Sequence, residues 1–403
     1  MNKKKILISG ASIAGPVLAF WLHKYGFEVK IVERAPALRM GGQNLDLRDA
    51  GKKVVEQMGI IEEIRNKNTG ELGIQFIDSD HKVRASFPKS GDSSFTSELE
   101  IVRGDLVNIL VNHTKADVDY QFDNYITSLT ERDDKVIVGY NKGEQETFDL
   151  VIAADGVRST TRNLIFGDEA KFKDLGLYNV YLTLKKTESD TNWARWYNAP
   201  ESRVLFLRPD SEGAIRASLS FLSSENKYLK MPKEEQRKVI IDKLQGIGWE
   251  GSRLVQALSE NADFYFDKFA QVVAPRWSSG RMAMVGDAAY CPTAITGMGT
   301  SLAVIGAYIL AGELAKNQVH QQAFNAYEQK FRPYVTTVQK LPPGTPWVVH
   351  PQSKWGVALL NTLASIAASN FVKKISKLFT SDKKTIQKDD FDLPDYRDCL
   401  VNK

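Results

Sequence analysis

A chain of 403 residues is too long for one ordinary hydrophobic core, so at least two packed units are expected. With 43% apolar residues, 25% charged residues and a net charge of only +4, it reads as a soluble globular protein with no electrostatic case for nucleic acid. Two cysteines cannot build a disulfide framework, and five scattered histidines give no pair at metal-ligand spacing; an intracellular, cytoplasmic chain without a metal is expected.

The chain opens with Lys3 to Lys5 and then Ile6 to Ile8, but the apolar run stops at Ser9 and Gly10. That is too short for a signal peptide and suits a first buried parallel strand. From Ile13 to Tyr25 the apolar positions Ile13, Val17, Phe20 and Trp21 recur at helical spacing, Pro16 is tolerable in the first turn, and Gly26 ends the helix. Phe27 to Val32 reads as a second strand, closed by Glu33, which completes a βαβ unit. Similar strands are expected at Leu150 to Ala154 and Met282 to Gly286, while residues 176–222 alternate with period two, as in a half-exposed antiparallel sheet. After Gly299 the pattern is helical to the end, broken near 341–346. Trp355 to Val372 comes nearest to a membrane span, but Asn361, Thr362, Ser365, Ser369 and Asn370 interrupt it.

Three segments carry chemistry. In the first, Gly10 permits a tight turn, Ser12 and Ala14 line it, Gly15 allows close helix–strand packing, and the helix start aims free N–H groups at a pyrophosphate. Glu33 falls where an acid binds a ribose hydroxyl. In the second, "DLVIAADGVRSTTR" (149–162), a strand ends in Asp155 and Gly156. In the third, "GRMAMVGDAAYCPTAITGMGTSLAVIGAYILAGEL" (280–314), a strand delivers Asp287, and Pro292, Gly297 and Gly299 lead into a long helix whose N-terminus favours negative charge. Each has a plain alternative: a βαβ turn, a surface turn, a helix start with a flexible lead-in. Their order and spread point to a flavin dinucleotide, whose ADP half the glycine cradle holds.

On these residues the chain resembles the class A flavin monooxygenases of the para-hydroxybenzoate hydroxylase fold group, from residue 4 to about residue 340. Within that group it is most similar to the tetracycline-inactivating monooxygenases, through "LRMGGQNLDLR" (38–48), "EIVRGDLVNIL" (100–110), "VGDAAYCP" (285–292) and a trailing C-terminal helix. The resemblance implies an α/β fold: a Rossmann-like FAD-binding domain (1–170 and 271–340), an inserted antiparallel-sheet substrate domain (171–270) and C-terminal helices (341–403). It also implies that Glu33 and Arg34 meet the adenosine ribose, Arg39 meets NADPH, Asp46 and Arg103 contact the flavin, Asp155 lies near both cofactors, and Asp287 holds the ribityl chain. Alternatives stay open: Arg39 and Arg103 as solvated charges, Asp46 as a turn cap. The chain departs from the family pattern at Ser12, Tyr290, Met298 and Thr300-Ser301, the last three positions being expected beside the flavin ring.

With no second glycine-rich fingerprint, NADPH (or NADH) is expected as a transient visitor. The resemblance implies reduction of FAD, addition of O2 to give a C4a-hydroperoxide, and hydroxylation of an aromatic or enolic, polyketide-like small molecule, with tetracycline inactivation in view. The chemistry belongs to the cofactor, so no catalytic side chain is assigned. Arg195, Tyr197, Phe206, Arg216 and Phe221 are candidates for the substrate face of the sheet, by position alone. Trp355, Leu359, Leu363 and Ile366, followed by Lys373, Lys374 and Lys377, are expected to pack on the main domains rather than on a membrane. A monomer is expected. A halogenase is set aside, because only Trp193 and Trp196 approach its motif; a non-catalytic redox sensor, or a hydroxylase of another small aromatic metabolite, stays open.

Overall fold

The computed structural model describes residues 3–39, 42–89, 99–369 and 391–401. The chain begins β1 (Lys5–Ser9), α1 (Ala14–Lys24), β2 (Glu28–Glu33), β3 (Asn44–Leu47), α2 (Asp49–Gln57) and α3 (Ile61–Asn66). A hairpin of β4 (Gly73–Ile77) and β5 (Val83–Pro88) precedes β6 (Leu99–Val102), α4 (Arg103–Asn112) and β7 (Asp119–Phe122). Next come β8 (Ile126–Arg132), β9 (Lys135–Tyr140), β10 (Gln145–Phe148), β11 (Leu150–Ala153) and α5 (Thr160–Phe166). Four long strands follow: β12 (Lys171–Lys185), β13 (Ala194–Ala199), β14 (Arg203–Pro209) and β15 (Ala214–Leu222). After α6 (Lys233–Leu244), α7 (Gly251–Ser259) and β16 (Phe264–Val273), short β17 (Ser278–Ser279) and β18 (Met282–Met284) lead to α8 (Asp287–Tyr290). Helices α9 (Gly299–Lys316), α10 (His320–Val338) and α11 (Lys354–Ala368) complete the order.

The first sheet has the order β17-β18-β11-β1-β2-β7, parallel except for β17. Ile6, Leu7 and Ile8 of β1 are fully buried, as a parallel strand covered on both faces must be. One face packs on α1 and α9; the other, through Leu7, Val32 and Val151, packs on the β8–β10 meander. Every residue of α9 from Thr300 to Leu314 is buried, which explains why its sequence is apolar on all sides.

The second sheet has the order β16-β12-β15-β14-β13-β4-β5. Its last two strands come from 73–88, outside the expected 171–270 insertion, because the alternation of Ile74 and Phe76 continues the sheet beyond β13. One face is roofed by α6 and α7 over a core that includes Tyr178, Tyr197, Phe221 and Phe266.

Two expectations for the C-terminal part need correction. Residues 391–401 do not continue the helices: they form a strap with one short turn, and Tyr396 is buried with its hydroxyl donating to Glu313 Oε1 at 2.5 Å. Pro394, among short acidic residues, disfavours a helix there. Nor is the apolar face of α11 packed on the main domains, since Trp355 is 87% exposed and Leu359, Leu363 and Ile366 are 51–61% exposed. The helix lies along β5, where Ser365 Oγ donates to the Arg84 carbonyl at 2.7 Å. Lys373, Lys374 and Lys377 lie outside the described residues. Among those described, no helix is long and apolar enough to cross a membrane.

Candidate active site

Three adjacent parallel strands, β18, β11 and β1, end together and release the chain at Gly286, Ala154 and Gly10. Crevices outside such carboxyl ends are where ligands of parallel sheets bind. Gly10 has φ 112°, and a Cβ there would lie 2.5 Å from the Ala154 carbonyl oxygen; one on Gly15 would lie 2.0 Å from the Gly10 oxygen. Neither place admits a side chain. The turn carries half-buried Ser12 and buried Ala14 into α1, whose start has no side-chain cap, so its first N–H groups are left for a ligand.

Glu33 accepts the N–H groups of Ala11 and Ala35, both at 2.9 Å, so the acid at the end of β2 braces the glycine turn itself. Arg34 turns aside: it donates to Thr160 Oγ1 at 2.7 Å and lies over the Tyr125 ring at 4.7 Å. Asp155 accepts from Ser159 Oγ and from the Thr161 N–H at 3.1 Å, which shapes the start of α5. Buried Arg162 donates to the carbonyls of Val157 and Ala288, each at 3.1 Å, and so ties this turn to α8.

Burial pushes the Asp287 carboxyl above its usual range, against the pull of the Cys291 thiol. Asp287 Oδ1 is 3.8 Å from the place of a Cβ on Gly299, so the acid and the start of α9 border one space. Gly297 is left-handed (φ 64°), and Asp46 Oδ2 and Arg48 Nη2 stand 3.6 and 3.7 Å from its vacant Cβ position. The start of α9 has no side-chain cap, which leaves a positive helix end toward that space. Pro292 is buried, and its carbonyl accepts Gln271 Nε2 at 3.2 Å. Thr293 beside it holds φ 78°, an outlier for a β-branched residue.

Arg103 opens α4 and donates from Nη2 to the Arg39 carbonyl at 2.8 Å. Burial, then the Arg39 charge, lower its pKa. The Arg39 side chain is exposed, and both arginines are within electrostatic reach of Tyr265 on the second sheet.

Three of the five substrate-face candidates are on the wrong face. Side chains alternate along a strand, so Arg195, Tyr197 and Phe221 all point to the helix-covered side. Arg195 is paired with Asp190 and lies over Trp249; the Tyr197 hydroxyl donates to the Ile247 carbonyl at 2.8 Å; Phe221 stacks on Tyr178 at 5.5 Å. Phe206 and Arg216 are on the other face, which meets the flavin half: Asp267 there pairs with Arg158 of the Asp-Gly turn. In register with Phe206 stand Trp196 and Phe76 on one side and, beyond Ser218, Tyr181 and Tyr265 on the other, an aromatic row broken at one position. Arg216 is already paired with Asp210 at 2.9 Å and donates to Thr183 Oγ1 at 2.6 Å.

Trp196, Tyr181, Tyr265 and Arg208, not among the candidates, share this face, and the signal lies in parity: each is opposite Phe206 or two positions from it in the paired registers. Tyr290 is also misplaced by sequence reasoning. It is 1% exposed, packs against Trp277 at 4.7 Å, and its hydroxyl accepts from Tyr327 at 3.1 Å, so it belongs to the core beneath α9. Met298 and Thr300 are buried, and Ser301 Oγ accepts the Arg48 N–H at 3.0 Å.

A cradle closed to side chains at Gly10 and Gly15, with an acid at the end of β2 and a second acid before a free helix start, fits a dinucleotide that continues into a flat ring. The FAD binding domain family matches residues 3–341. The chain belongs to this family. A flavin-dependent monooxygenase from an unknown prokaryotic organism is 37% identical over 346 residues, covering 84% of this chain and 88% of that protein. The tetracycline destructases Tet(51) and Tet(55), as crystal structures, align with TM-scores of 0.78 at 31% and 33% identity, over 98% of this chain and 100% and 99% of theirs. The protein is an FAD-dependent monooxygenase.

Proposed function

We infer that this FAD-dependent monooxygenase uses NADPH (or NADH) and O2 to hydroxylate a planar aromatic or enolic polyketide, with tetracycline-like compounds first among candidates. The observation that carries this is the aromatic row Phe76–Trp196–Phe206 and Tyr181–Tyr265, interrupted only by Ser218 and turned toward the flavin half. Likeness to the two tetracycline destructases supports the substrate class.

When bound, FAD supplies the redox and oxygen chemistry. The chain supplies placement. Gly10, Ser12, Ala14 and Gly15 admit the pyrophosphate, Glu33 takes the ribose, and Asp287 accepts from the ribityl hydroxyls. Pro292, Gly297 and Gly299 let the ring approach backbone, and the α9 N-terminus stabilises negative charge there. Asp46 and Arg103 border the ring, and Arg39, exposed at the rim, is placed to meet the nicotinamide nucleotide. Arg34 and Asp155 act through the turns they hold. Cys291 and Cys399 are both free, which supports a reducing, cytoplasmic setting.

The test is NADPH oxidation by purified holoenzyme against a panel of phenols and tetracyclines. Stimulation, with a product one oxygen heavier, is expected; oxidation that no panel member accelerates overturns the reading.

A further inference from the structure

Between the flavin half and the substrate sheet lies a buried charge cluster that the cradle does not use. Glu71, in the segment entering β4, is 2% exposed, and Glu100 on β6 is 0% exposed. Both close on one cation, Arg208 near the end of β14: Nε donates to Glu71 Oε2 at 2.8 Å, and Nη2 pairs with Glu100 Oε2 at 3.0 Å. Asn44 on β3 donates to Glu100 Oε1 at 2.6 Å and to the Pro209 carbonyl at 3.1 Å. Asp46, opposite Glu100 in the β3–β6 register, adds a third carboxylate, paired with Arg48 at 3.3 Å beside Gly297. Arg208 itself lies over the Phe206 ring at 5.3 Å, so the cluster reaches from the flavin loop to the aromatic row.

Among the described residues, buried Glu71 and Glu100 share the single Arg208 guanidinium, and a second full negative charge is costly at this depth. A single proton removes it. Glu100 accepts the Asn44 amide at Oε1 and has the Arg208 guanidinium 3.0 Å from Oε2 as an ion-pair partner without a hydrogen bond, whereas Glu71 has a cation only at Oε2. Glu71 Oε1 has no hydrogen-bond partner among the described residues. We propose that Glu71 carries a proton on Oε1 and serves as a neutral positioning residue, fixing Arg208 behind the substrate face without a second full negative charge.

The electrostatics of the pocket agree with that placement. Burial pushes the Glu71 carboxyl up, Arg208 draws it down, and Glu100 and Asp46 push it up again, leaving it at about 7. Because the folded value lies above the ordinary one, the stability this group contributes is complete below the usual carboxylate range and is lost as pH rises through about 7. Above neutrality the second charge appears beside Arg208, which also lies over the Phe206 ring.

The functional side of the proposal rests on the hydroxylase reading, but its test does not need a substrate. Holoenzyme and Glu71→Gln are compared on both sides of neutrality by thermal midpoint, by flavin absorbance and, where a substrate is in hand, by KM against kcat. The wild type is expected to lose on the order of a few degrees of melting temperature across neutrality. Its flavin band should shift with the same midpoint, and KM should rise several-fold while kcat changes little. Glu71→Gln, the neutral isostere, should keep the low-pH values throughout. Difference infrared spectra of the wild type should show a carboxylic-acid C=O band that disappears over the same range and is missing in the variant. A pH step that survives in Glu71→Gln, absence of that band in the wild type, or a Glu71→Gln chain that does not fold each overturns the proposal. Were no substrate ever found, the melting, flavin and infrared readouts would still decide this point apart from the hydroxylase reading.

Discussion

The cradle and the substrate sheet are built on opposite terms. At the cradle the backbone makes the site, and side chains matter mainly by their absence: at Gly10 and Gly15 a single Cβ would strike carbonyl oxygens at 2.5 and 2.0 Å. On the sheet the backbone is regular and the side chains are sorted by alternation into a roofed core face and a face toward the flavin half. An error of one residue is harmless to neither, but it acts differently. In the cradle it blocks a ligand; in the sheet it exchanges core for binding surface.

The sharpest way to break this contrast is at Gly10. Gly10→Val places a β-branched residue at φ 112° and drives its Cβ into Ala154, a strain above about 4 kcal/mol. Protein that folds at all should be purified without flavin, as read from the ratio of visible to ultraviolet absorbance. Next in size is Phe221→Ala. Phe221 is 1% exposed within the Tyr178–Tyr228–Phe266 aromatic cluster, and truncation should cost about 3–5 kcal/mol in denaturant unfolding. FAD content and substrate preference should be unchanged; a change in preference with stability intact would return Phe221 to the binding face.

The same contrast explains what could be read from the chain before its structure. Gly10, Gly15 and Gly297 are legible as backbone positions because a positive φ or a close approach demands glycine there. Arg195, Tyr197 and Phe221 were misassigned because "ARWYN" and "AIRASLSFL" alternate equally well in either phase; which phase faces the flavin half depends on where α6 and α7 pack. Glu71, Glu100 and Arg208 could not be linked at all, since 137 residues separate the hydrogen-bonded Glu71 and Arg208. For Tyr290 the family resemblance implies a place beside the flavin, but its ring is buried against Trp277 in the core beneath α9.

Asp287→Ala tests the cradle by side chain instead of backbone. A carboxylate that accepts from sugar hydroxyls contributes roughly 1.5–3 kcal/mol, so FAD dissociation measured by fluorescence should weaken about 10- to 100-fold. The melting temperature of the apoprotein should stay close to that of the wild type. Asp287→Asn, which retains one acceptor oxygen, should fall between the two, and equal FAD affinity in all three proteins would remove Asp287 from the cofactor site.

The smallest effect is the most informative about the sheet. Phe206 is half-buried, 5.1 Å from Trp196 and 5.3 Å from the Arg208 guanidinium, on the face where the aromatic row lies open. Phe206→Ala leaves no closed cavity, so its cost in stability should stay below about 1.5 kcal/mol. Loss of one stacking partner, worth about 1 kcal/mol, should raise the KM of a planar substrate roughly fivefold with FAD content unchanged. Phe221, on the adjacent strand β15 and opposite in phase, should show the reverse pattern: a large loss of stability and no change in KM. If both substitutions lowered stability and neither moved KM, the aromatic row would be packing alone, and the substrate would have to lie against some other surface of the flavin half.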